Sequence, residues 1–269
     1  MKNIHRSLTY MPGVNQIRQT YKDFNNKCKH YVLWSGGYDS TLVLYELLNA
    51  YGAENVIAIS YRYPWLDPTK YENEKNHREA IKAKLKLRGK EFSNFTHVEF
   101  DISQTAINGD LLRAHSNMGL PQAAAWLLSI PLYVENHSCV YDGTIHDDDL
   151  TFQIDAYYKT FRNVSKIINK DIYLRQPYLY LNKSEILEKI FQYDLYEECW
   201  FCEMPIDIGK ICCECKPCKT HLSALTVLSL TTKDEMVRMK ALKEIDKIRN
   251  MITNRKDEVE MDECEDKEG

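Results

Sequence analysis

The sequence predicts an α/β fold: a doubly wound, mostly parallel five-stranded sheet, followed by a small cysteine-rich segment and further helices. Three observations predict it. Apolar runs alternate with segments of helical spacing between residues 30 and 194, the pattern of right-handed βαβ units. Two adjacent glycines stand between the first apolar run and the first helical one, in a chain with only 10 glycines. Of nine cysteines, all but Cys28, Cys139 and Cys264 fall between Cys199 and Cys218.

The elements follow in order. Residues 1–28 are polar and without strong period, a lead-in with room for one short helix. "HYVLW" (30–34) is a short buried strand. "STLVLYELLNAYG" (40–52) has helical spacing and stops at Gly52. "NVIAISYRY" (55–63) is a second strand, "KYENEKNHREAIKAKLKLRG" (70–89) a charged amphipathic helix, and "FTHVEFDI" (95–102) a third strand. An apolar helix over 119–137 carries Pro131, which is expected to interrupt it. "CVYDGTI" (139–145) and "DIYLRQPY" (171–178) supply the fourth and fifth strands. "NKSEILEKIFQYD" (182–194) is helical, with Asn182 as its cap. The expected organisation is a lead-in (1–28), the main α/β domain (29–198), a cysteine-rich segment (199–230), and a charged helix with a frayed acidic end (231–269).

Composition bounds the function. The 269 residues are 44 % hydrophobic and 28 % charged, enough to bury a sizeable core. A formal charge of −4 gives no reason to expect a nucleic-acid coat. The first residues lack the apolar core of a signal peptide, and no run approaches the roughly 20 apolar residues of a membrane span. A cytoplasmic location is therefore expected, and in a reducing compartment clustered cysteines point to metal.

"WSGGYDST" (34–41) is the first candidate site. A strand, a glycine-rich turn and a helix N-terminus together make an anion site, because backbone N–H groups and the helix dipole face the same point. Ser35, Ser40 and Thr41 add hydroxyls, and Gly36 and Gly37 let a phosphate approach the backbone. Asp39 sits badly beside an anion unless a divalent cation such as Mg2+ bridges them. The loop lacks the lysine of a Walker sequence and does not read G-x-G-x-x-G. A ligand-free tight turn is the plain alternative. "HDDD" (146–149) reads better as a solvated loop than as an independent metal site. His77, His97, His115 and His137 show no ligand spacing. Tyr61, Tyr63 and Trp65 follow the second strand and are placed to stack on a base.

The second candidate site is "ECWFCEMPIDIGKICCECKPCKTHLSAL". Cys212, Cys215 and Cys218 are spaced C-x2-C-x2-C, and Cys202 can return as a fourth ligand. A rival quartet is Cys199, Cys202, Cys215 and Cys218. Zn2+ is the expected ion, an iron–sulfur cluster the competing one, and four thiolates make a closed, structural zinc site.

S-G-G-x-D-S resembles the pyrophosphate-binding loop of the PP-loop ATP pyrophosphatases. With the cysteine segment, the chain resembles the 7-cyano-7-deazaguanine synthases of queuosine-precursor biosynthesis over about residues 30–225. "CWFCE" stands where that family has T-W-S-C-Y, keeping Trp200 and Cys202. "CCECKPC" stands for C-G-x-C-x-x-C, matching Cys212, Cys215 and Cys218, which favours the first quartet. "YLYLNKSEIL" matches a K-x-E-I helix start at Lys183 and Glu185, and "DGTIHDDD" matches at Gly143 and Asp148. Three family segments are replaced here: Y-G-Q by "SYRYPWLDP", an arginine-asparagine pair by "LPQAAAW", and Y-P-D-C-R by "DLTFQID". All three belong to the substrate side.

The resemblance implies an adenine-nucleotide α-hydrolase-like fold and a C–N ligase using ATP, Mg2+ and Zn2+. A deazapurine carboxylate attacks the α-phosphate and releases pyrophosphate. Ammonia displaces AMP to give an amide, and a second adenylation drives dehydration to the nitrile. Ser35, Gly36, Gly37, Asp39, Ser40 and Thr41 would hold the nucleotide, with Asp39, Ser40 and Lys183 acting in the transfer and Asp148 facing the substrate. The family's homodimers make a homodimer expected here too. The alternatives are a PP-loop enzyme with another acceptor (a tRNA base, another carboxylate or a protein terminus) and a non-catalytic zinc-bearing binding module.

Overall fold

The computed structural model describes residues 28–63, 67–101, 120–148, 151 and 153–265. Five strands form one parallel sheet: β1 (His30–Leu33), β2 (Val56–Arg62), β3 (Thr96–Asp101), β4 (Ser138–Tyr141) and β5 (Ile172–Arg175). Their order is β3-β2-β1-β4-β5. The chain therefore runs outward one way to β3, then returns to add β4 on the other side of β1. That reversal leaves a crevice at the carboxyl ends of β1 and β4, the place where open α/β sheets bind ligands.

The strands alternate between two cores. Val32 of β1 and Trp34 just beyond it face one core with Val56, Ala58, Cys139 and Tyr141. Tyr31 and Leu33 face the other with Ile59, Tyr61 and Val140. Both faces are covered over the inner strands, so β1, β2 and β4 read as nearly unbroken apolar runs, while the edge strand β3 has no buried residue. The first face carries α1 (Tyr38–Tyr51), α2 (Pro68–Lys86), and, further along the chain, α5 (Lys183–Gln192), α6 (Lys216–Thr231) and α7 (Glu235–Glu265). The second carries α3 (Leu120–Tyr133) and α4 (Ile154–Ile167).

Several expectations shift. Helix α4 is absent from the sequence reading; it buries Tyr157, Phe161 and Ser165, one residue per turn, beside half-buried Ile154, Tyr158 and Val164. Helix α2 starts earlier than residue 70, because the Asp67 carboxylate accepts from Lys70 N at 3.0 Å and Pro68 fits the first turn. Pro131 does not break α3, because it lies in the last turn. The exposed carbonyls there are met by Lys170, whose Nζ donates to Pro131 O, Leu132 O and Val134 O at 3.2, 3.0 and 2.7 Å. The acidic end expected to fray is helical through Glu265. Residues 1–27 of the lead-in, Trp65 and His115 lie outside the described residues. Among the described residues, no helix is long and apolar enough to cross a membrane.

Candidate functional site

The crevice is a cleft of about 310 Å³. Its floor is the turn between β1 and α1. Gly36 turns the chain there with φ of +92°, and a Cβ on it would stand 3.1 Å from Glu74 O. Gly37 precedes the helix in extended conformation with no side-chain cap, so the amides of the first turn are left for another acceptor. Ser35 Oγ accepts from Gly37 N at 3.2 Å and lies 3.2 Å from Ser40 Oγ, which donates to Gly37 O. Ser35, Gly37 and Asp39 line the cleft, while Gly36 and Ser40 stand behind them. Thr41 departs from the expectation. Its hydroxyl is buried and accepts from Trp34 Nε1 at 3.1 Å, so it ties strand to helix and faces away from the cleft.

The turn is held from two sides. Arg78 of α2 is buried and donates to Ser35 O at 3.2 Å and to Glu99 at 3.0 Å. Trp200 N donates to Gly36 O at 3.1 Å, which brings the cysteine-rich segment down onto the turn. The sequence treated α2 only as a charged amphipathic helix, and a helical period gives no signal that Arg78 and Lys70 point inward. Lys70 is also buried, in an ion pair of 2.5 Å with Glu203 and another of 3.6 Å with Glu74, and lines the cleft.

The end of β4 packs against the start of α1 without a side chain between them. A Cβ on Gly143 would lie 2.8 Å from Ser40 N and 2.9 Å from Asp39 C, both backbone atoms that cannot swing aside. Gly143→Ala is therefore expected to push α1 from the sheet. We expect a loss of about 1–3 kcal/mol in urea unfolding together with weaker binding of pyrophosphate; an unchanged midpoint would contradict the packing.

Lys183 meets Asp39 across the cleft. Asn182 caps α5 through a reciprocal box: its side chain accepts from Glu185 N at 3.0 Å, and Glu185 accepts from Asn182 N at 2.8 Å. The box fixes Lys183 as the first helical residue. Its backbone N donates to Asp147 at 3.1 Å, and its Nζ pairs with Asp39 Oδ2 at 2.5 Å, 5.6 Å from the Tyr38 ring centre. The other Asp39 oxygen, Oδ1, is buried with no hydrogen-bond partner. Such an atom is costly unless something completes it.

Asp148 sits close by, accepting from Ile145 N at 2.9 Å. Burial, and then the charge of Asp39, push its carboxyl up to about 6. A carboxyl raised in this way favours the folded state when protonated. Without cation or nucleotide, stability from this group is gained as pH falls from about 6 toward the ordinary carboxylate range, and lost as pH rises through about 6. Asp148→Asn is expected to stabilise the ligand-free protein at neutral pH, on the order of 1 kcal/mol, and to flatten this dependence in thermal unfolding. A variant less stable at pH 7 would refute a cost of burying this charge beside Asp39.

The second site forms as one of the two predicted quartets. The ligand atoms of Cys202, Cys212, Cys215 and Cys218 lie within 4.8 Å of one another. Cys202 and Cys215 sulfurs are 4.0 Å apart, and those of Cys212 and Cys218 3.9 Å apart. Backbone amides of Glu214 and Cys215 donate to Cys212 Sγ, and that of Cys212 donates to Cys202 Sγ. The Cys218 thiol, and to a lesser degree that amide, draw the Cys202 thiol down to about 5. Cys213 takes φ of +62° to make this turn, a left-handed conformation that suits glycine. Cys199, the rival ligand, is buried elsewhere and hydrogen-bonds Thr41. The four thiols make a set that can hold a metal ion.

Other sequence candidates fall away from the cleft. Tyr61 and Tyr63 are core residues, stacked 5.6 Å apart, with Tyr61 OH 2.7 Å from Ser129 Oγ. His77 is 2.9 Å from Glu198 O, and His97 is 2.9 Å from Ser60 Oγ. His221, near the thiols in sequence, packs on Phe201 and Tyr38 with Nε2 on Tyr196 OH.

No family model matches the chain, and no curated protein matches it. Among solved structures it is similar to the U34-tRNA thiolase NcsA from Methanococcus maripaludis with its 4Fe-4S cluster, at 12 % identity and TM-score 0.44, covering 86 % of this chain and 78 % of that one. It is also similar to an NH3-dependent NAD synthetase from Campylobacter jejuni in complex with nitrate, at 17 % identity and TM-score 0.41, covering 91 % and 93 %. At these scores neither likeness bears on activity or ligands.

Proposed function

We propose that the protein is an ATP-dependent adenylating ligase of the PP-loop type. It splits ATP between the α and β phosphates and passes AMP to a carboxylate, that of a 7-deazapurine, before ammonia displaces the AMP. The observation that carries this reading is the turn from Ser35 to Ser40: an uncapped helix N-terminus at the reversal point of a parallel sheet, opening on a cleft whose lining includes Lys183, Asp39 and Asp148. A departing pyrophosphate is an anion of the size and charge such a turn receives.

The chain's own residues suit this transfer. The turn amides and Ser35 hold the phosphates in line, so that positioning supplies much of the rate. Lys183 offsets the charge that builds on the leaving group. Asp148 borders the space for the acceptor. Mg2+ fits this donor set, because Asp39 Oδ1 is buried without a partner and Asp148 lies beside it. Asp39 and Asp148 would hold the ion, which would neutralise phosphate charge.

Zn2+ fits the thiol quartet. Bonds of about 2.3 Å to zinc place tetrahedral thiolates about 3.8 Å apart, close to the separations of 3.9 and 4.0 Å found here. A four-iron cluster spreads its thiolates over separate irons and needs a wider shell. The ion's part would be structural, since four thiolates leave no open position.

The replaced substrate-side segments favour a second reading in which the acceptor is a different carboxylate. Both readings are tested by incubation with ATP, Mg2+, ammonium and 7-carboxy-7-deazaguanine. AMP and pyrophosphate in equal amounts, with one carboxylate oxygen carried into AMP, is the expected result. AMP release with other carboxylates only would favour the second reading. ADP as product, or no cleavage of ATP and no pyrophosphate exchange with any acid, would sink the proposal.

A further inference from the structure

The cysteines that the sequence scatters do not stay scattered. Cys28 and Cys139 meet at the amino ends of β1 and β4, with sulfurs 4.0 Å apart. His30 joins them, its Nε2 3.8 Å from Cys28 Sγ. The three ligand atoms all lie within 4.8 Å of one another, and all three residues are buried. The parallel register causes this meeting, because His30 stands directly opposite Cys139. The group lies under the C-terminal end of α1, about 20 Å from the cleft by the length of that helix.

Its surroundings are those of a ligand set. His30 Nδ1 is 3.2 Å from Tyr141 OH, which suits an N–H donated to the phenol and leaves the Nε2 lone pair facing the sulfurs. The ring is clamped by Tyr51, stacked at 3.7 Å and 14°. Arg175, the residue after Leu174 in β5, hydrogen-bonds Cys139, so a cation already stands beside the position where thiolate charge would form. Buried free cysteines ordinarily pack as small apolar groups. Here two sulfurs and an oriented imidazole nitrogen converge instead, at separations that one ion of about 2.0–2.3 Å bond length can span.

We propose that Cys28, His30 and Cys139 form a second metal site, for a thiophilic d10 ion, Zn2+ or Cu+, separate from the cysteine quartet of the C-terminal segment. Binding converts the two thiols to thiolates and releases two protons, with no change of oxidation state. The ion ties β1 to β4 at the end of the sheet opposite the cleft.

The test is metal content and competition on the full chain. Protein purified without chelator and analysed by plasma mass spectrometry is expected to hold two ions per chain. Cys202→Ser is expected to keep one of them, and Cys139→Ser and His30→Gln each to lose the other. Metal-free protein titrated with Zn2+, and separately with Cu+ under a colorimetric competitor, identifies the ion as the one retained at the tighter competitor concentration. A second measurement leaves Cys28 and Cys139 in place: Co2+ added to protein whose quartet is removed by changing Cys202, Cys212, Cys215 and Cys218 to Ser should give sulfur-to-cobalt charge-transfer bands, which His30→Gln should weaken or shift. Those bands, or a second ion lost only from the Cys139 and His30 variants, support the site. A single ion per chain that Cys202→Ser removes, absence of the bands, or a Cys28–Cys139 disulfide recovered by peptide mapping overturns it. A chain whose one ion survives Cys202→Ser but not Cys139→Ser supports this site while rejecting the quartet.

Discussion

Asp39→Asn is expected to slow ATP-dependent AMP release by about 10²–10³-fold while leaving the fold intact. The side chain keeps its size, so the first turn of α1 and the contact of Gly143 with it are undisturbed. What changes is charge. Lys183 loses its partner at 2.5 Å, and the buried Oδ1 position no longer carries the negative charge that a divalent ion needs. The defect should therefore appear chiefly in Mg2+-dependent ATP affinity and turnover. Binding of pyrophosphate in the absence of divalent ions should hold or tighten, since a carboxylate beside it has gone. Initial rates with calorimetry for each ligand separate these effects. Normal AMP release by a well-folded variant would remove Asp39 from the reaction.

The second large effect is expected at the other end of the chain. Cys202→Ser breaks the thiol quartet, and Trp200, two residues away, is the residue whose amide holds Gly36 O. With little other core in this segment, loss of the proposed ion is expected to cost about 3 kcal/mol or more. We expect the thermal midpoint to fall and pyrophosphate affinity to drop at least about tenfold, equivalent to about 1.4 kcal/mol. A strong chelator should reproduce both changes in the wild-type protein, and added Zn2+ should reverse them. If nucleotide affinity survives chelation unchanged, the cysteine segment does not support the turn.

Strands β1, β2 and β4 were legible because both faces of the sheet are buried there, which writes each as a compact apolar run; the edge strand β3 shows instead as an alternation with exposed Thr96, Glu99 and Asp101. The turn was legible for a similar reason: Gly36 and Gly37 answer a local backbone demand, and local demands appear in local sequence. Helix α4 was legible in principle and was missed: Ile154, Tyr157, Tyr158, Phe161 and Val164 recur at helical spacing, between charged residues. Spacing alone left Cys199 and Cys212 equivalent, and the tie was broken by tertiary packing, which turns Cys199 toward Thr41. Thr41 was misplaced for the same reason. A helix N-terminus has several sides, and only the packed strand decides which hydroxyl faces solvent and which meets Trp34. Arg78, Lys70 and the Cys28–His30–Cys139 group depend on contacts between distant elements, and those contacts follow from the strand order.

The hydrogen bond from Trp200 to Gly36 has a consequence for biosynthesis. If the turn binds nucleotide as proposed, a ribosome that has delivered the strand, turn and first helix has made the loop's own phosphate-facing groups, yet the brace from Trp200 is still untranslated. Nascent chains stalled before the cysteine segment should capture no nucleotide, and competence should arise late, as the final third of the polypeptide leaves the exit tunnel.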